Sequence, residues 1–594
     1  MASSPLIEES NLPSFTILSN GKEIPGTYEV ISIKTVQQLN RIAAAEIVLR
    51  DGNAPTQNFD IAESETFKPG NEIEIKLGYH SKDDSVFKGL VIKQHLKISH
   101  GDGSRLHIIC KDKALKMTVA RNSNIYTETT DSSILETLIS NAGLSASVTS
   151  TSAQHKEVVQ YYTTDWDFLV TRAEINGMVV RTDSGKLIVA KPEMSSAPEL
   201  KVTFGQDILD FDGELDATFQ YKDAKGSAWD MSTQAIIDGT SSEPSVNKQG
   251  NLTGATLSEV LDAGTQQLQT TTGLTNEDMT TWANATVLKS RLSRFKGTVT
   301  FQGSAKAEAN SLIELAGLSD RFNGNAFISG VIHTVEEGNW LTEVTLGLAA
   351  EWFVETHPVA APIASGLIPG VRGLQTGVVK KMYEDPDNQF RVQVEIPMLG
   401  AENEAVWARL ATFYASNSFG AYFMPEVGDE VVLGFMNEDP RFPIILGSVY
   451  SSKLASPETP DENNTIKTLV TKSKLQLKFD EEKKSITVLT PGGNTMVFSD
   501  EDEAITITDQ NNNKIEMNSS GISMESPSSI NIKATEEVSI QGATISINGD
   551  QSISASGGTV DISADMSASL KGSAECAISS DGNLTAKGLM VMIN

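Results

Sequence analysis

Apolar and polar positions alternate over most of the first 360 residues. "NEIEIKLGY" (71–79), "RLHIIC" (105–110), "KVTF" (201–204) and "LTEVTLGL" (341–348) each put every second side chain on one face, which predicts half-buried strands. Three stretches switch to a helical period. "DSSILETLISNAG" is read as a helix with Asp131 as N-cap, an apolar face of Ile134, Leu135, Leu138 and Ile139, and Gly143 at its end. "TDWDFLVTRAEING" is read as a second helix, with Thr164 as N-cap and Phe168, Leu169 and Ile175 facing inward. Residues 276–295 are expected to form a peripheral third helix. Strands outnumber helices and do not alternate with them, so this region reads as α+β with mostly antiparallel pairing.

Two Pro/Gly/Ser-rich stretches, 357–375 and 451–464, lack either period and read as connectors. Between them, "GVVKKMY", "FRVQVEI", "AVWARLA", "GAYFMP" and "EVVLGFM" predict five short strands, enough for a small closed barrel of the OB type.

After the second connector the pattern changes again. Phe498 is the last aromatic residue, and from Ile515 onward apolar residues come as pairs separated by one polar position. The pairs are Ile515/Met517, Ile522/Met524, Ile530/Ile532, Val538/Ile540, Ile545/Ile547, Ile553/Ala555, Val560/Ile562, Ala568/Leu570, Cys576/Ile578, Leu584/Ala586 and Val591/Ile593. Their first members are 7 or 8 residues apart through all eleven pairs. That is an internal repeat, which a disordered Ser-rich tail would not keep. Each unit is a short strand with two inward side chains followed by a polar corner, and one unit buries too little to fold alone. A single-chain β-helix would carry longer coils with more apolar residues. Three chains wound round one axis instead let the stripe meet two copies of itself, with no room for aromatic rings. The expected trimer core is Ile530, Ile532, Val538, Ile540, Ile545, Ile547, Ile553, Val560, Ile562, Leu570, Cys576 and Ile578. At a strand spacing of about 4.8 Å the repeats would make a needle on the order of 50 Å long. The chain closes on "GLMVMIN", more apolar than any earlier corner, and three copies would form an apolar platform with open strand edges.

Composition narrows the function. In 594 residues, 77 acidic side chains face 47 basic ones, for a net charge of −30, which argues against nucleic acid or an anionic membrane as partner. Cys110 and Cys576 form no metal or disulfide spacing. "MASSPLIEES" has neither a basic nor an apolar leader region, and no stretch reaches the roughly 18–20 apolar residues of a membrane helix. A protein made and assembled in the cytoplasm is therefore expected. Candidate chemistry is sparse. "GDGSRL" (101–106) has Leu106 where a dinucleotide fingerprint needs its third glycine, and reads as a hairpin turn. His95, His100 and His107 lie on extended segments without ligand spacing. Asp429/Glu430 and Glu501/Asp502/Glu503 read as solvated acids. No catalytic, cofactor-binding or metal site is expected.

Three segments resemble the VgrG family, the spike proteins of type VI secretion and related contractile injection systems, similar to a contractile phage's baseplate hub fused to its central spike. They are "TTDWDFLVTRAEINGMVV" (163–180), "FGAYFMPEVGDEVVLGFMNEDPRFPIILGSVY" (419–450) and the repeating tail. The resemblance implies a mainly β protein with some α: an α+β hub with two barrels (1–360), a linker (361–375), an OB-fold barrel (376–450), a neck (451–514) and an intertwined triple-stranded β-helix of a homotrimer (515–594). It implies a structural role: seating on the inner tube protein among baseplate proteins, crossing a target membrane transiently, and carrying effector cargo or a PAAR-type tip protein. Leu589, Met590, Val591, Met592, Ile593 and Asn594 would bind that tip. Delivery outside the cell or into a target cell on contraction, or release with an extracellular particle, would follow. A spike-borne hydrolase and a trimeric tail fibre or adhesin are the alternatives. The first lacks a visible catalytic constellation, and the second does not account for the hub and barrel segments.

Overall fold

The computed structural model describes residues 2–6, 12–101, 103–400 and 405–593, and it is mainly β. Two compact units, 1–447 and 448–594, make up the chain. No helix among the described residues is long and apolar enough to cross a membrane.

The alternating runs of the first unit form a thirteen-stranded sheet. Its midpoint is the antiparallel pair of Gly324–Glu336 with Val30–Gln38, with one apolar core largely on each side and Val335 and Trp340 reaching across into the first. In Glu72–Tyr79 the alternation works as read: Ile73, Ile75 and Leu77 are buried, and charged residues fill the positions between. The strands expected to make two hub barrels are hydrogen-bonded into one sheet. Lys82–Ser99 and Gly103–Lys111 pair antiparallel with Ser99 opposite Gly103, which makes "GDGSRL" part of a hairpin.

Three smaller sheets and the helices pack beside the large sheet. The first helix, Asp131–Asn141, is capped by Thr130, whose hydroxyl accepts from the Ser133 amide, and not by Asp131. Asp131 is buried one residue further on, and its carboxylate is committed to a neighbouring helix. The second helix, Asp165–Ile175, is capped by Thr164 as read. The third, Asn276–Leu292, is not peripheral. It packs Met279, Ala283 and Val287 against the sheet of Asp223–Asp230 and Ala235–Thr240, and buries Leu292 in a separate core with Leu39 and Val179. The approach is so close that a Cβ on Gly239 would lie 2.3 Å from the Thr280 amide nitrogen. Its contact face is built from small side chains and from Arg291, so it shows little apolar signal. The Arg291 side chain is fully buried and donates to both Glu243 oxygens at 2.8 Å and to the Tyr221 carbonyl.

One buried histidine is expected to make the hub's stability fall in acid. His333 lies in the central strand with Nδ1 2.9 Å from the Thr342 hydroxyl, and burial pushes its pKa down to about 4. The unfolded chain takes up this proton near pH ~6.5, while the folded hub resists until about pH 4. Stability should therefore fall by roughly 3 kcal/mol over that window and be level above it. The expected check is denaturant unfolding of wild type and His333→Asn at about pH 7 and about pH 4.5. The variant should lose less stability on acidification, and equal losses would refute the assignment.

The closed barrel runs Gln375–Lys381, Val392–Glu395, Val406–Leu410, Pro443–Ser448, Glu430–Phe435 and back to the first strand. Val379, Val392, Val394, Ala408, Val431, Leu433 and Ile445 fill it completely buried. Its fifth strand is "PIILGS", paired parallel to Val406–Leu410, and not "GAYFMP". The aromatic residues of "GAYFMP" stay exposed outside the barrel, while Pro443 and Ile445 point into it.

Candidate functional site

The second unit begins with a seven-stranded antiparallel meander from Ile466–Val470 to Gly521–Glu525. Five-residue strands are joined by tight turns that repeat every second strand. Thr471, Thr490 and Asp509 each donate an amide to the carbonyl four residues on, at 2.9, 3.0 and 3.0 Å. Within those turns Lys474, Gly493 and Asn512 hold φ of +68°, +94° and +65°. Asp502 accepts from the Ser499 hydroxyl at 2.8 Å in a turn on the opposite edge.

This regularity sorts the side chains into columns. One column runs Phe479, Ile486, Phe498, Ile505, Met517, Ile522 through directly opposed partners. A second runs Leu469, Leu477, Val488, Met496, Ile507, Ile515, Met524. Both lie on the same face, because each strand contributes residues two apart. The column between them on the opposite face is Thr468, Lys478, Thr487, Val497, Thr506, Glu516 and Ser523, mostly polar. Cross-strand apolar pairs of this kind stabilise the sheet, yet the apolar face has nothing over it. Among the described residues from 448 onward no apolar side chain is buried; Leu477, Met496, Ile505 and Ile515 are half-buried, and the other members of the two columns are exposed, from 37% at Ile507 to 74% at Ile522.

The first two apolar pairs of the period, Ile515/Met517 and Ile522/Met524, belong to this meander as an antiparallel hairpin. The regular tail therefore starts later than position 515. From 526 to 593 the described residues form no strand ladder within the chain and are exposed apart from Ser526. Their conformation is nonetheless periodic. The first members Ile530, Val538, Ile545 and Val560 are 50–55% exposed, and their partners Ile532, Ile540, Ile547 and Ile562 are 67–86% exposed. Ile553, Leu570 and Ile578 are open in the same way, and Cys576 is an exposed free thiol in the single chain. Leu589, Met590, Met592 and Ile593 are almost wholly exposed and Val591 about half so, while Asn594 lies outside the described residues. Two apolar columns and an apolar stripe, all without a partner inside the chain, form the candidate site. What such a surface can do is associate.

Among the described residues no group of three or more His, Cys, Asp or Glu is placed to hold a metal. His95 and His107 face each other across their strands with ring centroids 5.6 Å apart, and His107 Nδ1 lies 2.8 Å from Glu46. Asp131, Arg172 and His155 form one buried charged cluster, joined by the Asn176 amide. Arg172 donates to both Asp131 oxygens at 2.6 and 2.8 Å, Asn176 donates to Asp131 at 2.7 Å, and His155 Nε2 lies 3.2 Å from it. Burial alone would raise the Asp131 pKa, but the Arg172 hydrogen bonds and charge, with Asn176 and His155, hold it below the usual carboxylate range. Two residues on, Glu174 receives Lys289 at 2.8 Å and the Phe353 amide at 2.7 Å. Gly177 then closes the helix at φ +63°. The "D-W-D-F…R…E…G" segment is thus a staple: its Arg ties one helix and its Glu ties another helix and the end of the hub.

Family models match three segments of the chain. The Alg8 N-terminal domain family matches residues 9–337. A type VI secretion system/phage-baseplate injector OB domain matches 375–450, and a phage baseplate V C-terminal trimerisation domain matches 485–565. The type VI secretion system spike protein VgrG1c of Pseudomonas aeruginosa is 31% identical over 111 residues, 18% of this chain and 15% of the relative. VgrG3 of Vibrio cholerae, also a type VI spike protein, is 34% identical over 83 residues, 13% of this chain and 8% of the relative. The matched segments thus span only a small part of those relatives. Among solved structures, the 43 kDa tail protein of prophage MuSo2 from Shewanella oneidensis aligns with 57% of this chain and 99% of its own, at 13% identity and a TM-score of 0.44. The Francisella PdpA–VgrG complex aligns with 87% of this chain and 80% of its own, at 10% identity and a TM-score of 0.38.

Proposed function

We propose that this chain, which belongs to the Alg8 N-terminal domain family and is a VgrG-type spike protein, works as the homotrimeric hub and spike of a contractile injection machine. The observation that carries the reading is the uncovered apolar face of the meander and its continuation as a periodic stripe. Three copies related by a threefold axis turn these faces toward one another and bury them, and the stripe closes into an intertwined β-helix. The hub, residues 1–360, seats on the inner tube among baseplate proteins. A 361–375 linker leads to the barrel, and the spike beyond it concentrates the force of contraction and crosses the target membrane. The work is mechanical, so the purified trimer should release no fragments from labelled peptidoglycan. Assembly takes place in the producing cell's cytoplasm, and contraction or particle release carries the spike outside.

Light scattering at micromolar concentration, with electron microscopy of the particle, tests the reading. A mass of three chains and an elongated tail are expected, and a monomer would sink it.

At the tip, Leu589, Met590, Val591, Met592 and Ile593 form the platform for a small PAAR-type cap that brings effectors. Ending the chain at Gly588 should abolish cap binding while leaving the thermal transition of the spike within a few degrees. Retained cap binding with a weakened spike would instead assign these residues to the last layer of the core.

A further inference from the structure

A cavity of about 510 Å³ opens beside the helix Asn276–Leu292, and aromatic side chains make much of its wall. Trp282 comes from that helix, and Phe219 and Tyr221 from the segment leading into Asp223–Asp230. Trp352 stands just before the short helix Phe353–Thr356. All four rings are half-buried, and the space beside them is the size of a small-ligand pocket. Two exposed carboxylates, Glu351 and Glu355, line the same space. Among the described residues Glu351 has no hydrogen-bond or ion-pair partner, and Glu355 gives one oxygen to the Trp352 amide at 2.7 Å. Burial and then the Glu355 charge push the Tyr221 phenol up, which sets that carboxylate near the ring. The cations close by are already matched. Arg172 donates to both Asp131 oxygens, and Lys289 reaches Glu174 at 2.8 Å with its ammonium 5.3 Å from the Trp352 ring centroid. The cavity therefore joins aromatic faces to two carboxylates that lack a cation.

We propose that this cavity binds a guanidinium group, carried by a free small molecule or by an arginine side chain of another protein. A flat, weakly hydrated cation stacks on aromatic faces while its N–H fork meets carboxylate oxygens. An ammonium gains the charge contact without the stacking plane. A neutral apolar ligand would desolvate the carboxylates without compensation, and an anion would be repelled by them. The residues of this chain outside the described ones include no Lys or Arg, so none of them supplies the cation. Every residue of the wall lies between Thr171 and Glu355 of one chain, so the site needs no second copy.

The test is a titration of the full-length protein followed by tryptophan fluorescence, which Trp282 and Trp352 report. The probes are N-acetyl-arginine amide, its neutral isostere N-acetyl-citrulline amide, and a peptide of one arginine flanked by glycines. A saturable change below about 10 mM is expected with the arginine probes and none with the citrulline probe. Equal affinity of the two arginine probes would assign a free small ligand, and a tighter peptide would assign a protein side chain. Glu351→Gln should leave the thermal transition in place and weaken the arginine amide by about threefold or more. Adding Glu355→Gln, which keeps an acceptor for the Trp352 amide, should weaken it further. The proposal fails if neither arginine probe saturates, if citrulline binds as well as arginine, or if the double variant binds like wild type.

Discussion

Ile547→Asp is expected to destroy the tail. In an isolated chain Ile547 is 69% exposed, and a carboxylate there would cost almost nothing. In the trimer the same substitution places three carboxylates together on a dry axis, each costing several kcal/mol through desolvation and mutual repulsion. The two pictures therefore predict opposite results from one variant. Wild-type trimers should resist SDS without heating, and the variant should run as monomer and lose tens of degrees of tail stability. Ile562→Asp should behave alike, and Asn548→Asp, at a corner beside the natural Asp550, should be nearly silent. An unchanged Ile547→Asp trimer would refute the assigned register.

The second large effect lies in the hub. Asp131→Ala leaves the Arg172 guanidinium half-buried without its anion and strips the Asn176 amide of an acceptor. Breaking a buried pair from one side typically costs about 3–5 kcal/mol. Asp131→Asn keeps one acceptor oxygen and should cost less, on the order of 1–3 kcal/mol. Denaturant unfolding of the full chain, followed at the hub's transition, gives both values. A loss below about 1 kcal/mol for Asp131→Ala would show that the cluster is incidental to the fold.

What could be read from the sequence followed how each element buries its surface. The tail was legible because a chain that associates with copies of itself repeats its pattern, and every repeat obeys one geometry. The meander was not read as such, although its apolar pairs run back from Ile515 through Ile505/Ile507, Met496/Phe498 and Ile486/Val488 to Leu477/Phe479. Reversing turns stretch those steps to 9 or 10 residues, and two phenylalanines among the pairs hide their kinship with the thinner stripe beyond. In the barrel, "GAYFMP" looks like a strand by composition, since aromatic residues favour sheets. Burial decides otherwise, and "PIILGS" takes the place. The helix Asn276–Leu292 escaped notice as a core element because closeness, achieved by alanine and serine, replaces apolar bulk. Asp131 was placed at a helix start by its residue type. Its role in holding Arg172 depends on contacts 41 residues apart, which no local pattern records.

The meander and the tail differ in where their backbone hydrogen bonds are made, and this gives assembly a direction. Every meander strand pairs with its neighbour in sequence, so each copy can complete that sheet alone, through local contacts of the sort that form fast. The described residues beyond 525 have no ladder of their own and gain order only once chains are side by side. The meander also leaves the ribosome first. Three preformed sheets can therefore meet, set the relative stagger of the chains, and let the remaining turns zip from neck to tip. Slippage by one repeat, the characteristic error of a periodic fibre, is suppressed at the one place where the period is broken.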